Sequence, residues 1–200
     1  MRDARTRNIR EAEQAGVDWM GFICYPRSPR FVARRPRLSA TGSVRRIGVF
    51  VNARQEEIMR RADELGLHGI QLHGSETPEL CRHIQATGLQ VIKRCRKLDE
   101  RTRLHGSLCR LLRLFSVRHA QSKPRRFGRT FDWQLLDEYQ GRVSFLLSGG
   151  LTPASLPDLL RFHHPRWAGI DLNSGFETAP AVKNCTVLST FIHELKEQKL

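Results

Sequence analysis

Short apolar runs alternate with longer amphipathic segments along most of the chain. Continuous apolar runs of this length are typical of strands that are covered on both faces. Six are clear, and they span residues 18–24, 46–51, 69–73, 89–94, 143–148 and 167–172. Apolar residues at helical spacing predict helices over residues 3–15, 55–65, 77–86, 131–139, 154–163 and 187–198.

This alternation predicts βαβ units and a parallel sheet. Gly16 and Gly66 are placed to end helices, and Ser75 or Thr77 to begin one. The predicted fold is a single α/β domain over residues 1–200, a (β/α)8 TIM barrel, which requires eight strands. One missing strand is expected before residue 1 and another within residues 100–130, so the predicted barrel is incomplete.

Two neighbouring predicted strands end in turns of small residues. Gly149 and Gly150 follow one strand, and the sequence Asn173-Ser174-Gly175 follows the next. A helix over residues 154–163 joins them, so both turns lie at the carboxyl ends of their strands, where parallel α/β folds bind ligands. Exposed backbone N–H groups in such turns suit a phosphate. The alternative is that the glycines only form tight turns.

The composition argues against several classes of protein. A hydrophobic content of 40% with three Trp indicates a folded chain. No run of 18 apolar residues and no apolar leader are present, which predicts a cytoplasmic protein without a membrane partner. The five cysteines are scattered and contain no Cys-x-x-Cys pair, so neither a disulfide framework nor a metal site is expected.

The net charge of +14 suggests a nucleic-acid-binding protein, but its distribution argues against one. Residues 101–130 carry nine Lys or Arg and no Asp or Glu, whereas the other 170 residues carry 25 basic and 20 acidic side chains. The basicity therefore belongs largely to one anomalous segment, residues 100–128. Its two aromatic residues, Phe115 and Phe127, are too few to suggest platforms for stacked bases.

Six motifs follow one another within residues 18–98 and 128–198. They are Gly21-Phe-Ile-Cys-Tyr-Pro-Arg-Ser-Pro-Arg30, Gly48-Val-Phe-Val-Asn-Ala53, Gln71-Leu-His-Gly74, Thr130-Phe-Asp-Trp133, Leu147-Ser-Gly-Gly-Leu151 and Gly169-Ile-Asp-Leu-Asn-Ser-Gly175. Taken together and in this order, the six motifs resemble the phosphoribosylanthranilate isomerase family.

The resemblance implies an enzyme of tryptophan biosynthesis that isomerises an aldose to a ketose, in an Amadori rearrangement of phosphoribosylanthranilate without cofactor or metal. The reaction needs a general acid to open the ribose ring and a general base to remove the C2 proton. It also needs a phosphate-binding site that holds the substrate so that its reacting end is oriented. By resemblance, the phosphate ligands are Gly149, Gly150, Asn173, Ser174 and Gly175.

Further site residues follow from the resemblance. Arg30 matches an active-site arginine that meets the anthranilate carboxylate or assists the acid step. A surface role is the alternative for any one of the eleven arginines among the first 46 residues. His73 and Asp171 are expected to contact substrate from strand ends, with structural hydrogen bonding as an equal alternative. Gln71 shares the side of the strand that His73 occupies.

Both proton-transfer residues of the family are missing from the sequence. The family's base is a cysteine in a Lys-x-Cys-Gly-type motif that ends the first strand, and the 200 residues contain no such motif. Cys24 follows a different strand and is predicted to be a buried thiol. The family's acid is an aspartate that ends the sixth strand, but residues 107–126 contain no Asp or Glu. Asp132 is expected to cap a helix and so does not replace the acid. Because the base and the acid are both missing, the chain is predicted to lack activity.

Three explanations stay open for residues 100–127. They are a local shift of reading frame (with a start codon placed too late), a genuine pseudoenzyme that kept a phosphate pocket, and a basic segment acquired for RNA or another polyanion. Another phosphosugar barrel enzyme is the alternative activity. The predicted partner is a small phosphoribosyl molecule, and the chain is expected to be a monomer or homodimer. Open strand edges beside the missing first strand predict poor solubility.

Overall fold

A computed structural model of the chain describes residues 2–34, 44–95, 114–118, 134–137 and 139–199. The helices are α1 (Arg2–Gln14), α2 (Gln55–Leu65), α3 (Pro78–Ala86), α4 (Gln134–Asp137), α5 (Leu156–Arg161) and α6 (Cys185–Lys199). The strands are β1 (Trp19–Ile23), β2 (Arg45–Phe50), β3 (Gly69–Leu72), β4 (Gln90–Cys95), β5 (Leu114–Arg118), β6 (Ser144–Ser148), β7 (Trp167–Asp171), β8 (Glu177–Ala179) and β9 (Val182–Lys183). Two short 3-10 turns span Pro153–Ser155 and Ser174–Phe176.

Strands β1 to β7 form one parallel sheet in which the spatial order follows the chain order. A curled parallel sheet with connecting helices is the architecture of a TIM barrel, so the predicted fold class is confirmed. The strand expected within residues 100–130 is β5, which pairs with β4 and β6. Within the described ranges, β1 and β7 each pair with one strand only, so both leave an open edge.

The ends of the helices follow the predicted sequence signals. Gly66 ends α2 in the left-handed conformation, with φ of 60°, which glycine adopts without steric cost. The Thr77 hydroxyl accepts a hydrogen bond from the Leu80 N–H and so caps the start of α3. The antiparallel β8–β9 hairpin was not predicted. The expected helix over residues 131–139 is described only at 134–137 and 139, and the predicted capping role of Asp132 lies outside the described residues.

The sheet has two faces with different neighbours. The Gln71 amide on β3 donates to the Ser116 hydroxyl on β5 at 3.2 Å, passing over β4, which places both side chains on the concave face. Register puts Ile92 beside Gln71 on that face, where it belongs to a small apolar cluster. The opposite face carries the main core between sheet and helices, including the fully buried Phe115 and Phe145.

A buried ion pair lies on the helix-facing side of the sheet. The Lys93 ammonium donates to Glu76 at 2.6 Å and to the Gly74 carbonyl at 2.7 Å. Glu76 also accepts from the backbone N–H groups of Asn52 at 2.9 Å and Gly74 at 3.0 Å. Burial raises the pKa of Glu76, but hydrogen bonds and the Lys93 charge outweigh burial, so this pKa lies below its ordinary value. The pair fixes the loops after β2 and β3 to the start of α3.

Candidate active site

The carboxyl ends of β1 to β7 lie along one edge of the sheet because all seven strands are parallel. The His73 N–H donates to the Phe50 carbonyl at 2.8 Å, which continues the ladder beyond β3 and keeps His73 on the concave face with Gln71. Pairing carries the same face across the sheet to Ser148 and Asp171. The structure therefore places His73 and Asp171 at one end of one face.

The turn after β6 contains two consecutive glycines in the left-handed region. Gly149 has φ of 81° and Gly150 has φ of 74°, conformations that other residues rarely adopt. The Cβ of an alanine at Gly150 would meet nothing within 4 Å, so backbone conformation rather than space favours glycine here.

The turn after β7 packs directly against the turn after β6. A Cβ on Gly175 would lie 2.1 Å from the carbonyl oxygen of Leu151, so this approach requires glycine. Ser174 and Gly175 open a 3-10 turn, and their N–H groups therefore lack acceptors within that turn. Asn173 immediately precedes them. The structure thus brings together the two segments predicted to bind phosphate.

Arg30 lies in the loop after β1 and makes a bidentate contact with Glu177. Its Nε lies 2.9 Å and its Nη2 2.6 Å from the same carboxylate oxygen. Among the described residues, its Nη1 group makes no hydrogen bond. The hydrogen bond to Glu177 raises the pKa of Arg30.

Glu177 also meets Lys183, which lies on β9. The Lys183 ammonium is 3.3 Å from Glu177, 3.0 Å from the Asn173 carbonyl oxygen and 3.1 Å from the Asn173 side-chain oxygen. Burial raises the pKa of Glu177, but Arg30 and Lys183 overcome this effect and hold the pKa below its ordinary value. Sequence reasoning missed both residues, although Glu177 lies two positions after the motif that ends at Gly175. A carboxylate directly beyond a phosphate turn was the available signal.

Cys24 is turned away from the concave face. Its side chain is 3% exposed and belongs to the main core together with Phe22, two residues earlier. Burial raises the pKa of the Cys24 thiol, and Arg61 only partly opposes this effect. The predicted interpretation as a buried thiol is confirmed, and the raised pKa is the reverse of what a cysteine base requires.

The strand in the place of the family's sixth strand ends without a carboxylate. This strand, β5, ends in Val117 and Arg118, and Arg118 pairs with Ser148 at the edge where the site lies. The rest of the anomalous segment lies outside the described residues. Residues 114–118 contain no Asp or Glu, and the loss of the family's acid stays a prediction from the sequence.

An open cleft of about 460 Å³ lies elsewhere, lined by residues 139–141 and 163–166 among others. These segments precede β6 and β7, so the cleft is at the opposite edge of the sheet from the two glycine turns. In the part of the chain that the structure covers, no three His, Cys, Asp or Glu residues are grouped to hold a metal ion. None of the described helices is long and apolar enough to cross a membrane.

Comparison with known sequences agrees with the resemblance. The family model described as N-(5'-phosphoribosyl)anthranilate (PRA) isomerase matches residues 3–194. An N-(5'-phosphoribosyl)anthranilate isomerase from Phocaeicola vulgatus is 50% identical over 193 residues, covering 96% of this chain and 93% of the relative. Another, from Parabacteroides distasonis, is 41% identical over 201 residues, covering 94% of this chain and 88% of the relative.

Solved structures give the same result. The phosphoribosyl anthranilate isomerase of Thermotoga maritima superimposes with a TM-score of 0.79 at 31% identity, covering 96% of this chain and 94% of the other. A second isomerase structure, in complex with reduced 1-(o-carboxyphenylamino)-1-deoxyribulose 5-phosphate, gives a TM-score of 0.78 at 30% identity, with 96% and 93% covered. A third contains monomers generated from the dimeric Thermotoga maritima enzyme, with a TM-score of 0.75 at 31% identity.

Proposed function

The chain belongs to the phosphoribosylanthranilate isomerase family of tryptophan biosynthesis, and from that premise we propose that it binds a phosphoribosyl ligand between the two glycine turns. The contact of Gly175 with the Leu151 carbonyl carries this proposal, because it joins the turns after β6 and β7 into one unit. Gly149, Gly150, Asn173, Ser174 and Gly175 would form the phosphate site. Backbone N–H groups supply the donors, so no metal or organic cofactor enters the proposal.

The rest of the substrate would extend along the concave face. Arg30 would receive the anthranilate carboxylate through Nη1, while Glu177 holds the opposite edge of the guanidinium. His73 and Asp171 would contact the ribose from the ends of their strands. This arrangement lets binding energy from the phosphate and the carboxylate orient the sugar between them.

We further propose that the chain as it stands binds this ligand without catalysing appreciable isomerisation. Strand β5 ends in Val117 and Arg118 where the family places an acid. Cys24 is buried on the other face of the sheet and burial raises the pKa of its thiol, and both features disfavour it as the base. Binding would survive because the phosphate turns lie on strands other than β5.

Two experiments test binding and catalysis separately. Calorimetry measures binding of reduced 1-(o-carboxyphenylamino)-1-deoxyribulose 5-phosphate, the reduced product analogue. An isomerisation assay with phosphoribosylanthranilate measures turnover. The expected result is analogue binding with turnover at the background rate. A rate near the typical enzyme range of about 1–1,000 s⁻¹ would show that the chain is catalytically competent, and the Cys24→Ala variant would then locate the base. Absence of analogue binding would contradict the site.

Ribose 5-phosphate is the control ligand that tests the alternative activity, that of another phosphosugar barrel enzyme. Binding of this simple sugar phosphate without binding of the analogue would favour another phosphosugar barrel enzyme. Gel filtration at several protein concentrations would distinguish the predicted monomer from a homodimer. Deletion of residues 101–129 would test the polyanion alternative, which requires RNA affinity that falls steeply with salt and disappears in the deletion variant.

A further inference from the structure

We propose that Lys183 is a positioning residue that prepares the turn after β7 for a phosphate dianion, an inference that rests on the function proposed above. Lys183 comes from β9, which follows the phosphate turn in sequence, and its ammonium reaches back over the carboxyl end of β7. Around Nζ lie the carbonyl oxygens of Leu172 at 3.4 Å and Asn173 at 3.0 Å, the Asn173 side-chain oxygen at 3.1 Å and a Glu177 oxygen at 3.3 Å.

The number of these contacts decides what Lys183 can do. An ammonium group has three N–H donors, and four protein oxygens already surround this one. A phosphate on the neighbouring turn would therefore find no donor left on Lys183. The side chain acts through the turn and not as a direct ligand.

Its first effect is electrostatic. The carbonyl oxygens of Leu172 and Asn173 carry partial negative charge directly before the Ser174 and Gly175 N–H groups. A dianion held by those N–H groups would be repelled by uncovered carbonyl oxygens nearby. The Asn173 oxygen also accepts the Phe176 N–H at 3.0 Å. By binding both carbonyl oxygens, the ammonium offsets their remaining partial negative charge and adds positive charge beside the proposed phosphate site.

Its second effect is to fix the conformation of the turn. Asn173 has φ of −134° and ψ of −107°, outside the ordinary helical and extended regions. The same ammonium holds both the main-chain and the side-chain oxygen of this residue. Asn173 is therefore restrained immediately before the two residues whose N–H groups would bind phosphate.

Lys183 is itself held on two sides. The Asn8 side chain in α1 donates to the Lys183 carbonyl at 2.8 Å and accepts from the Lys183 N–H at 2.7 Å. Glu177 holds the ammonium and simultaneously binds Arg30. The carboxylate of Glu177 consequently links the arginine proposed to meet the substrate carboxylate with the turn proposed to meet its phosphate.

The test compares the affinity for inorganic phosphate and for the reduced product analogue across lysine variants, measured by calorimetry. Lys183→Met is expected to weaken both affinities about tenfold, the scale of one charge-assisted hydrogen bond. Lys183→Arg keeps the cation and is expected to recover most of the loss. Lys196→Met is the matched control, because Lys196 is a surface residue of α6 that binds the Gly16 carbonyl at 2.9 Å, and its variant loses the same charge.

Each outcome has one interpretation. A folded Lys183→Met variant that binds phosphate as tightly as the wild type would overturn the inference and leave the proposed site intact. Equal weakening by Lys196→Met, or no recovery by Lys183→Arg, would also overturn it. A wild-type chain that binds neither ligand would overturn both the inference and the proposed function. If circular dichroism shows Lys183→Met to be unfolded, Lys183→Gln replaces it with the same expected result.

Discussion

Replacing Lys93 by Met should destabilise the fold strongly, because it leaves the Glu76 carboxylate buried without its cation. The two side chains are only 8% and 1% exposed, and the ammonium lies 2.6 Å from the carboxylate. Removing one partner of a buried ion pair typically costs about 3–5 kcal/mol of unfolding free energy. We expect a loss in this range at pH 7.

The double variant Lys93→Met/Glu76→Gln should lose less unfolding free energy than Lys93→Met alone. The amide introduced at position 76 carries no charge to bury, and its oxygen can still accept the N–H groups of Asn52 and Gly74, which now bind Glu76. Residues in direct contact typically show coupling energies of about 0.5–3 kcal/mol. The double-mutant cycle is therefore expected to show a coupling of this size, with the double variant less destabilised than the sum of the two single variants.

The effect should also depend on pH. In the wild type the pKa of Glu76 lies below the ordinary value of 4.5, so its stabilising contribution is complete above that value and is lost as the pH falls through the lowered pKa. Without Lys93, the hydrogen bond and the charge that lower the pKa of Glu76 are lost while burial still raises it, so this pKa is higher in the variant than in the wild type. Protonation then relieves the penalty, so the difference in stability between wild type and variant should shrink as the pH falls from 7 to about 4.

Urea unfolding followed by circular dichroism, at low micromolar protein concentration, measures these free energies. Lys196→Met is again the control, since its ion pair with Asp18 is exposed and should contribute at most about 1 kcal/mol. A loss for Lys93→Met no larger than that of the control, or a difference that grows towards low pH, would refute the reasoning.

Three further predictions concern the turns, the thiol and the sheet edges. Gly175→Ala should lower the free energy of unfolding by about 1–3 kcal/mol and weaken phosphate binding, because its Cβ would meet the Leu151 carbonyl. The control Gly21→Ala, whose Cβ would lie 3.7 Å from Val49, should change both little, and equal unfolding midpoints for the two variants would contradict this. Native Cys24 should react with iodoacetamide more slowly than half-exposed Cys185, with the rates read by mass spectrometry, and equal rates would show that Cys24 is accessible. Within the part of the chain that the structure describes, β1 and β7 have open edges, so light scattering should detect association that grows with protein concentration. A monomer that stays soluble and melts cooperatively would count against this.

The fold was predictable from the sequence because its signals are local. The run at residues 69–73 and the helix over residues 55–65 are defined by their own apolar patterns, and Gly66 and Thr77 mark helix ends by their chemistry. Strand β5 could be expected from the barrel alone, since its own surroundings in sequence are basic and poorly patterned. The short β8–β9 hairpin, of three and two residues, is below the length at which periodicity can be recognised.

The site was predictable only where a turn requires particular residues. The small residues of the turns after β6 and β7 indicate exposed N–H groups by their residue types alone. Glu177 gives only the weak signal of its position directly after a phosphate turn, and Lys183 gives none, because an isolated charged residue is usually solvated. Their role depends on Arg30, which is 147 residues away from Glu177, and no local pattern reports a contact over that separation.

The pairing of Asn8 with Lys183 also constrains the order in which the molecule is completed during synthesis. These residues are 175 positions apart, so α1 leaves the ribosome long before its partner on β9 exists. Contacts of such large sequence separation form late because closing long loops costs chain entropy. Until β9 emerges, Asn8 lacks this partner and Asn173 lacks the Lys183 ammonium, even though β1 to β7 have already been translated. Chains interrupted shortly before residue 183 would therefore contain both glycine turns but lack the lysine proposed to position the second of them.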